Sequence, residues 1–290
     1  MARLGGQALV QPVWIDGLWG SIFSFEGGRF FKKVPKALRY QATVWFGQPI
    51  SSEAATSQHL QELLSALSGE AFHHRKQVRK TPGLQTPDGQ RLSPAAATSA
   101  HVNALRLLDT SLLRLGDAVV CLVPPSHVMG HTFGLALPRL REVSVSWSLD
   151  KLAASEGQRV VLVGEPAHLA GVKIPNGALV VALHCVHGLV ERPAVDADFY
   201  PALFDPANGA LLTLSVPDPE LPEAEAGAQV GRKPGSFGHF LPGLEVGRIE
   251  GALVFSKLFP ESAINVVLTR AVLDDEGFVF LAPPSMPTAN

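Results

Sequence analysis

The apolar positions of this chain fall into two regimes. The first 80 residues carry short apolar runs broken by charge, and from about residue 92 apolar runs alternate with helix-period stretches. Residues 8–15 read as a strand closed by Asp16-Gly17, and 40–46 (YQATVWF) as a second strand closed by Gly47-Gln48-Pro49. Ser52 is placed to cap a helix over 53–67, with apolar residues at 60, 63, 64 and 67. The polar, basic, Pro/Gly-broken stretch HHRKQVRKTPGLQTPDGQR that follows predicts a linker, assigned to 76–91.

Beyond it, Ser93 and Pro94 form an N-cap followed by an N1 proline, opening a helix to about Leu115. Strands are predicted at 118–123, 143–147, 159–163 and 177–183, with helices at 131–140 and, capped by Ser148, at 149–155. Apolar strands alternating with helices predict an α/β fold with a mainly parallel, helix-covered sheet. After Ala210 the pattern becomes β-rich, ending in a strand at 277–281. The division expected is a small α/β piece over 1–75, the linker 76–91, and a larger α/β piece with a β-rich end over 92–290.

Charge supports two pieces with different surroundings. Residues 1–80 hold ten Lys/Arg against five Asp/Glu, and the remainder fourteen against twenty-one, although the whole chain is only −2. With 46% apolar and 17% charged residues the chain is globular. Cys121 and Cys185 sit in apolar runs without a CxxC pair, which predicts reduced thiols in a cytoplasmic protein. The N-terminal residues lack the pattern of a signal peptide, and no apolar run reaches the length of a membrane helix.

Several chemistries have no support in the residues. The basic stretch is short and the net charge negative, so nucleic acid is not an expected partner. Gly231–Gly238 lacks the Walker order, and no GxSxG is present. His127/His131 and His184-Cys185-x-His187 have metal-like spacing without an evident third and fourth ligand, so no metal is expected. Residues 18–40 interleave aromatics with cations. Trp19, Phe23, Arg29, Lys32 and Lys33 are candidates for contact with a lipid surface at the inner face of the membrane.

Five segments carry a resemblance. VGRKPGSFGHFLPGLEVGRI (230–249), LVPPSHVMG (122–130), VGEPAHL (163–169), LSVPDPE (214–220) and LDDEGFVFL (273–281) resemble, in order, segments of AMP-forming acyl-adenylating enzymes, the acyl-CoA and acyl-ACP synthetases. The resemblance implies a partial adenylating-enzyme-like sheet. It implies a remnant acyl and carboxylate pocket near His127, Gly130, Gly164 and Pro166, and a remnant nucleotide-site loop at Gly235, Gly238 and Pro242. Active relatives use ATP and Mg.

Residues 7–75, with PVWIDGLWGSIFSF and ATVWFGQPI, resemble the tail of a lysophospholipid acyltransferase domain. In that family and order the two resemblances together match 2-acylglycerophosphoethanolamine acyltransferase/acyl-ACP synthetase fusions. Implied partners are a fatty acyl chain, a lysophospholipid or acyl carrier protein.

The residues that would do either reaction are absent. None of the ten histidines has Asp five positions on, as the acyltransferase base and its orienter require. Aligned on PKGVVLSH of the adenylating family, PDGQRLSP places Asp88 where the phosphate-binding lysine belongs, and a carboxylate there repels phosphate. The YGxTE motif falls on Leu203, Phe204, Pro206 and Ala207, so the metal-holding glutamate is an alanine. The ribose-binding aspartate falls on Thr269, and the resemblance ends before the lid that carries the catalytic lysine. The expectation is therefore a non-catalytic acyl- or lipid-binding or interaction protein needing no cofactor. The alternative is an active acyl-adenylating or acyltransferase enzyme working with a partner chain.

Overall fold

The computed structural model describes residues 8–16, 42–76, 83–110, 112–114, 116–140, 143–151, 158–187, 199–218, 231–259 and 263–281. Trp19, Phe23, Arg29, Lys32 and Lys33 lie outside the described residues. The chain forms two compact units. One, the sheet unit, comprises Val78–Pro217 and Gly231–Leu241; the other, the hairpin unit, comprises Met1–Gln77, Asp218–Val230 and Pro242–Asn290. Compactness thus groups the strands after Pro242 with the N-terminal elements.

The hairpin unit begins with short strands. β1 (Leu9–Val10) pairs with β4 (Ile50–Ser51), and β2 (Val13–Asp16) with β3 (Thr43–Phe46), both antiparallel. Among the described residues these strands pair only with one another. The run predicted as one strand over 8–15 is split at Gln11-Pro12, where Pro12 has no N–H to give a ladder.

Helix α1 (Ser57–Lys76) starts later and ends later than its sequence pattern indicates. Residues 51–54 form a turn closed by the Ala54 N–H to the Ser51 carbonyl at 3.0 Å, and Thr56 rather than Ser52 accepts from the first helical turn, at His59 N, 3.2 Å. The helix continues through His73–Lys76 because Ala71 and Phe72 are buried on the face begun by Leu67. It packs on β2, β3 and β12 (Glu245–Ile249). The buried Ser65 hydroxyl donates to the Leu244 carbonyl at 3.1 Å and accepts from Val246 N at 3.0 Å, fixing helix to strand. β12, β13 (Ala252–Ser256) and β14 (Val266–Leu268) form an antiparallel sheet, and β15 (Ala271–Leu273) pairs with β16 (Val279–Leu281).

The sheet unit carries seven strands in the order β11-β10-β9-β8-β7-β5-β6. They are β5 (Ala118–Cys121), β6 (Ser144–Ser146), β7 (Val160–Gly164), β8 (Leu179–Cys185), β9 (Phe199–Asp205), β10 (Ala210–Leu214) and β11 (His239–Phe240). β6, β5, β7, β8 and β9 run parallel, and β10 and β11 are added antiparallel. The expected mainly parallel α/β sheet is therefore present, and the β-rich end after Ala210 is present as well. β5 and most of β7 and β8 are buried on both faces, which is why they read as continuous apolar runs. Val120, Leu162, Leu169, Val180 and Ala182 form one core cluster, each larger side chain contributing about 1.5–3 kcal/mol of burial.

β9 has no counterpart among the predicted strands. Pro201 interrupts FYPALFD and has no N–H to give, but its carbonyl accepts Ser215 N at 2.9 Å, so the strand still joins the ladder there. Helix α2 (Pro94–Leu108) starts where expected, with the Ser93 hydroxyl accepting Ala96 N at 3.2 Å, but it ends before Leu115. Asn103 pins it to the β9–β10 turn, donating to the Gly209 carbonyl at 2.7 Å and accepting Leu211 N at 3.2 Å.

After β5 come α3 (Val128–Gly130), a π-helical stretch (His131–Ala136) and α4 (Leu137–Leu140). The helix expected over 149–155 is a short 3-10 turn at Leu149–Lys151 in its described part. α5 (Pro166–Leu169) follows β7.

Candidate functional site

In a parallel sheet the loops leaving the carboxyl ends of the strands gather on one edge, where ligands of open α/β sheets bind. Here that edge is rich in imidazole and carboxylate. His127 follows β5, Glu165 and His168 follow β7, His184 and His187 end β8 and the turn after it, and Asp205 ends β9.

His127 has both ring nitrogens engaged. Nδ1 accepts the Met129 N–H at 3.1 Å, capping α3, so the proton of the neutral ring sits on Nε2. Nε2 lies 3.5 Å from Glu165 Oε1, and the ring meets Phe204 of β9 edge-on with centroids 5.4 Å apart. Burial holds the His127 imidazole below its ordinary pKa; the Glu165 charge opposes that shift and His168 adds to it. Glu165 presents its other oxygen to His168 Nδ1 at 3.6 Å, so one carboxylate stands between two imidazoles. One turn on, burial likewise lowers the pKa of His131, helped by His127 and opposed by a hydrogen bond to the Pro125 carbonyl.

Gly130 and Gly164 are closely packed at this edge. A Cβ on Gly130 would stand 2.3 Å from the Pro124 carbonyl oxygen, and one on Gly164 would press Leu169 at 3.2 Å. Pro166 is the N-terminal proline of α5 and so aims Glu165. The sequence reading named Gly164 and Pro166 but not Glu165 between them. His127, Gly164, Glu165 and Pro166 are brought together, and Gly130 ends the short helix α3 that His127 caps.

Deeper in the sheet, His184 is 6% exposed, lies edge-on to Phe237 at 5.3 Å, and is pushed down to about pKa 4 by burial. Asp205 is buried and accepts from Ala207 N at 3.2 Å and Asn208 Nδ2 at 2.5 Å, with His187 Nε2 at 3.6 Å. Burial raises the Cys121 thiol to about 12, and both Cys121 and Cys185 are free. Among the described residues no group of three His, Cys, Asp or Glu side chains is arranged to hold a metal ion.

The remaining sequence-derived positions fall on turns and walls. Asp88 lies in a tight turn, its carboxylate bonded to the Thr86 hydroxyl, and the turn is closed by Thr86 N to the Gln90 carbonyl at 2.9 Å. Leu203 and Phe204 are buried in β9, and Ala207 is in the turn beyond it. Gly235 takes φ 79° in the turn Lys233–Ser236, and Gly238 takes φ 76° with its Cα against the Leu214–Ser215 peptide. Pro242 and Thr269 belong to the hairpin unit, Thr269 in the exposed turn between β14 and β15.

No family model matches the sequence, and no curated protein matches it. Solved structures do. The N-terminal domain of FACL13 from Mycobacterium tuberculosis aligns at TM-score 0.41 and 14% identity over 71% of this chain and 62% of its own. A malonyl-CoA ligase, in ternary product complex with methylmalonyl-CoA and AMP, aligns at 0.41 and 18% over 67% and 49%. O-succinylbenzoate coenzyme A synthetase (MenE) from Bacillus subtilis, in complex with AMP, aligns at 0.41 and 12% over 69% and 49%. The chain spans 49–62% of the length of these proteins.

Proposed function

We propose that this chain is a lipid-metabolism-related protein that keeps an acyl-adenylating type of scaffold without its reaction, and works as a non-catalytic acyl- or lipid-binding or interaction protein. The observation that carries the reading is the turn at Pro87-Asp88-Gly89. Where the resembled family needs a lysine for ATP phosphate, this chain has a carboxylate, and Thr86 holds it within the turn. Ala207 and Thr269 at the metal and ribose positions support the same conclusion.

In this reading the carboxyl edge around His127, Gly130, Gly164 and Pro166 receives an acyl chain, and the loop with Gly235, Gly238 and Pro242 is a structural turn. Residues 1–75 descend from an acyltransferase tail and 92–290 from an adenylating domain, joined by 76–91. The protein works in the cytoplasm, peripherally at the membrane's inner face, with lysophospholipid and acyl carrier protein as further candidate partners. Among the described residues no helix is long and apolar enough to cross a membrane.

The test is ATP–pyrophosphate exchange with a fatty acid, beside calorimetry with the fatty acid and with ATP·Mg. The expected outcome is saturable fatty-acid binding with no exchange. Turnover above background overturns the non-catalytic reading and favours the active ligase.

A further inference from the structure

Glu165 stands where the head of a ligand at the carboxyl edge would have to go. Nδ1 of His127 is taken up by the Met129 N–H, and Nε2 lies 3.5 Å from Glu165 Oε1. The other oxygen, Oε2, lies 3.6 Å from His168 Nδ1. Neither nitrogen of His127 is left to receive a carboxylate, so a head that approaches this ring meets Glu165 beside it. The His127 and Glu165 side chains are only 21 and 29% exposed, and charges so placed are screened less than on an open surface.

The groups around Glu165 set what that head can be. His127 comes from the loop after β5 and His131 from the stretch beyond it, His168 from α5, His184 and His187 from the end of β8 and its turn, and Asp205 from the end of β9. β6, on the far side of β5, is followed by Asp150 and Lys151. The described residues 122–127, 165–169, 186–187 and 206–209 include no lysine or arginine. Burial lowers the pKa of His127, His131 and His184, which keeps these rings neutral at pH 7. A negatively charged head at this point therefore faces the Glu165 carboxylate. Two carboxyl groups sharing one site keep a proton between them, because like charges in contact cannot both stay ionised cheaply. A hydroxyl or a protonated carboxyl instead donates its O–H to Glu165 in a charge-assisted hydrogen bond.

We propose that Glu165 is the specificity-determining residue of this edge: it accepts the head of an acyl ligand as an uncharged O–H donor, so that a fatty acid binds together with one proton. The inference rests on the acyl-binding reading above and adds the chemical form in which the ligand is held. The proton comes from solvent and lies between the two carboxyl groups; no bond within the ligand is made or broken.

Calorimetry of the full chain with decanoate and with 1-decanol between pH 6 and pH 8 tests it. Decanoate affinity is expected to fall about tenfold per pH unit, the slope of one proton per ligand, while decanol affinity stays level. Decanoate titrations at pH 7.5 in buffers of different ionisation heat are expected to count about one proton taken up. Glu165→Gln is expected to raise decanoate affinity at pH 8 by about tenfold and to flatten its pH profile. The same variant is expected to bind decanol about threefold or more weakly, since an amide oxygen replaces a charged acceptor. Decanoate binding with a level profile and no proton uptake overturns the proposal, and so does a folded E165Q variant that keeps the natural slope. Should the variant not fold, the proton count on the natural chain decides. If neither amphiphile binds at any pH, the acyl-binding reading falls and this inference with it, whereas a level decanoate profile removes this inference alone.

Discussion

Nε2 of His127 and Oε1 of Glu165 face each other across 3.5 Å, joining the loops after β5 and β7 at the carboxyl edge of the sheet. With Nδ1 of the same ring accepting from Met129 N, the pair settles which nitrogen of His127 carries the proton. Glu165 is also the group that most opposes the downward shift of His127. In Glu165→Gln the His127 pKa is therefore expected to fall further, read from the ring-proton shift in an NMR titration. A rise or an unchanged midpoint would show that the two groups do not interact.

His184 predicts the direction of acid sensitivity. Its folded pKa is lowered to about 4 from 6.5, so the folded state holds fewer protons than the unfolded state between those values. The stability from keeping His184 neutral is fully present above pH 6.5 and is lost as pH falls towards 4, amounting to about 3 kcal/mol at most. His127, His131 and His101 are lowered too and act in the same sense. Urea unfolding at pH 7.5 and pH 5 is expected to show lower stability at the acid end, and His184→Phe is expected to flatten the difference. An equal pH dependence in the variant would exclude His184 as its source.

Gly134 has no room for a methyl group. Its Cβ would stand 2.1 Å from the Trp147 ring, which lies directly on the π-helical stretch. Gly134→Ala is expected to cost about 1–3 kcal/mol by overpacking, with part of the loss recovered by Trp147→Leu. A thermal midpoint equal to that of the natural chain would disprove the close packing.

Asn103 is the polar pin of α2. Replacing it with Ala leaves the buried Leu211 N–H without its acceptor, whereas the Gly209 carbonyl keeps the Ser99 hydroxyl as donor. The expected cost is about 1–3 kcal/mol, that of one unsatisfied buried donor. Hydrogen exchange at the Leu211 amide is expected to accelerate, and unchanged protection there would refute the pin.

Asp88, Ala207 and Thr269 were legible in the sequence as residue types within an ordered set of resembling segments. Glu165 was not. It stood between two residues that the sequence reading singled out, yet no local pattern says that a side chain after one strand will meet a histidine after another.

The amino-acid sequence by itself determined the α/β class, the start of α2 at Ser93-Pro94 and most of the buried strands, because burial on both faces leaves a continuous apolar run. Only the tertiary structure decided that FYPALFD is a strand, since pairing with β8 on one side and β10 on the other holds it extended despite Pro201. It alone decided that α1 runs on to Lys76, since Ala71 and Phe72 are buried on its packed face. And it alone decided that the paired strands β2 and β3 turn Trp45 towards His74 of α1 and leave Val13, Ile15, Val44 and Phe46 exposed. Periodicity reports that one face differs from the other; which face is covered is set by the element that packs there, here α1.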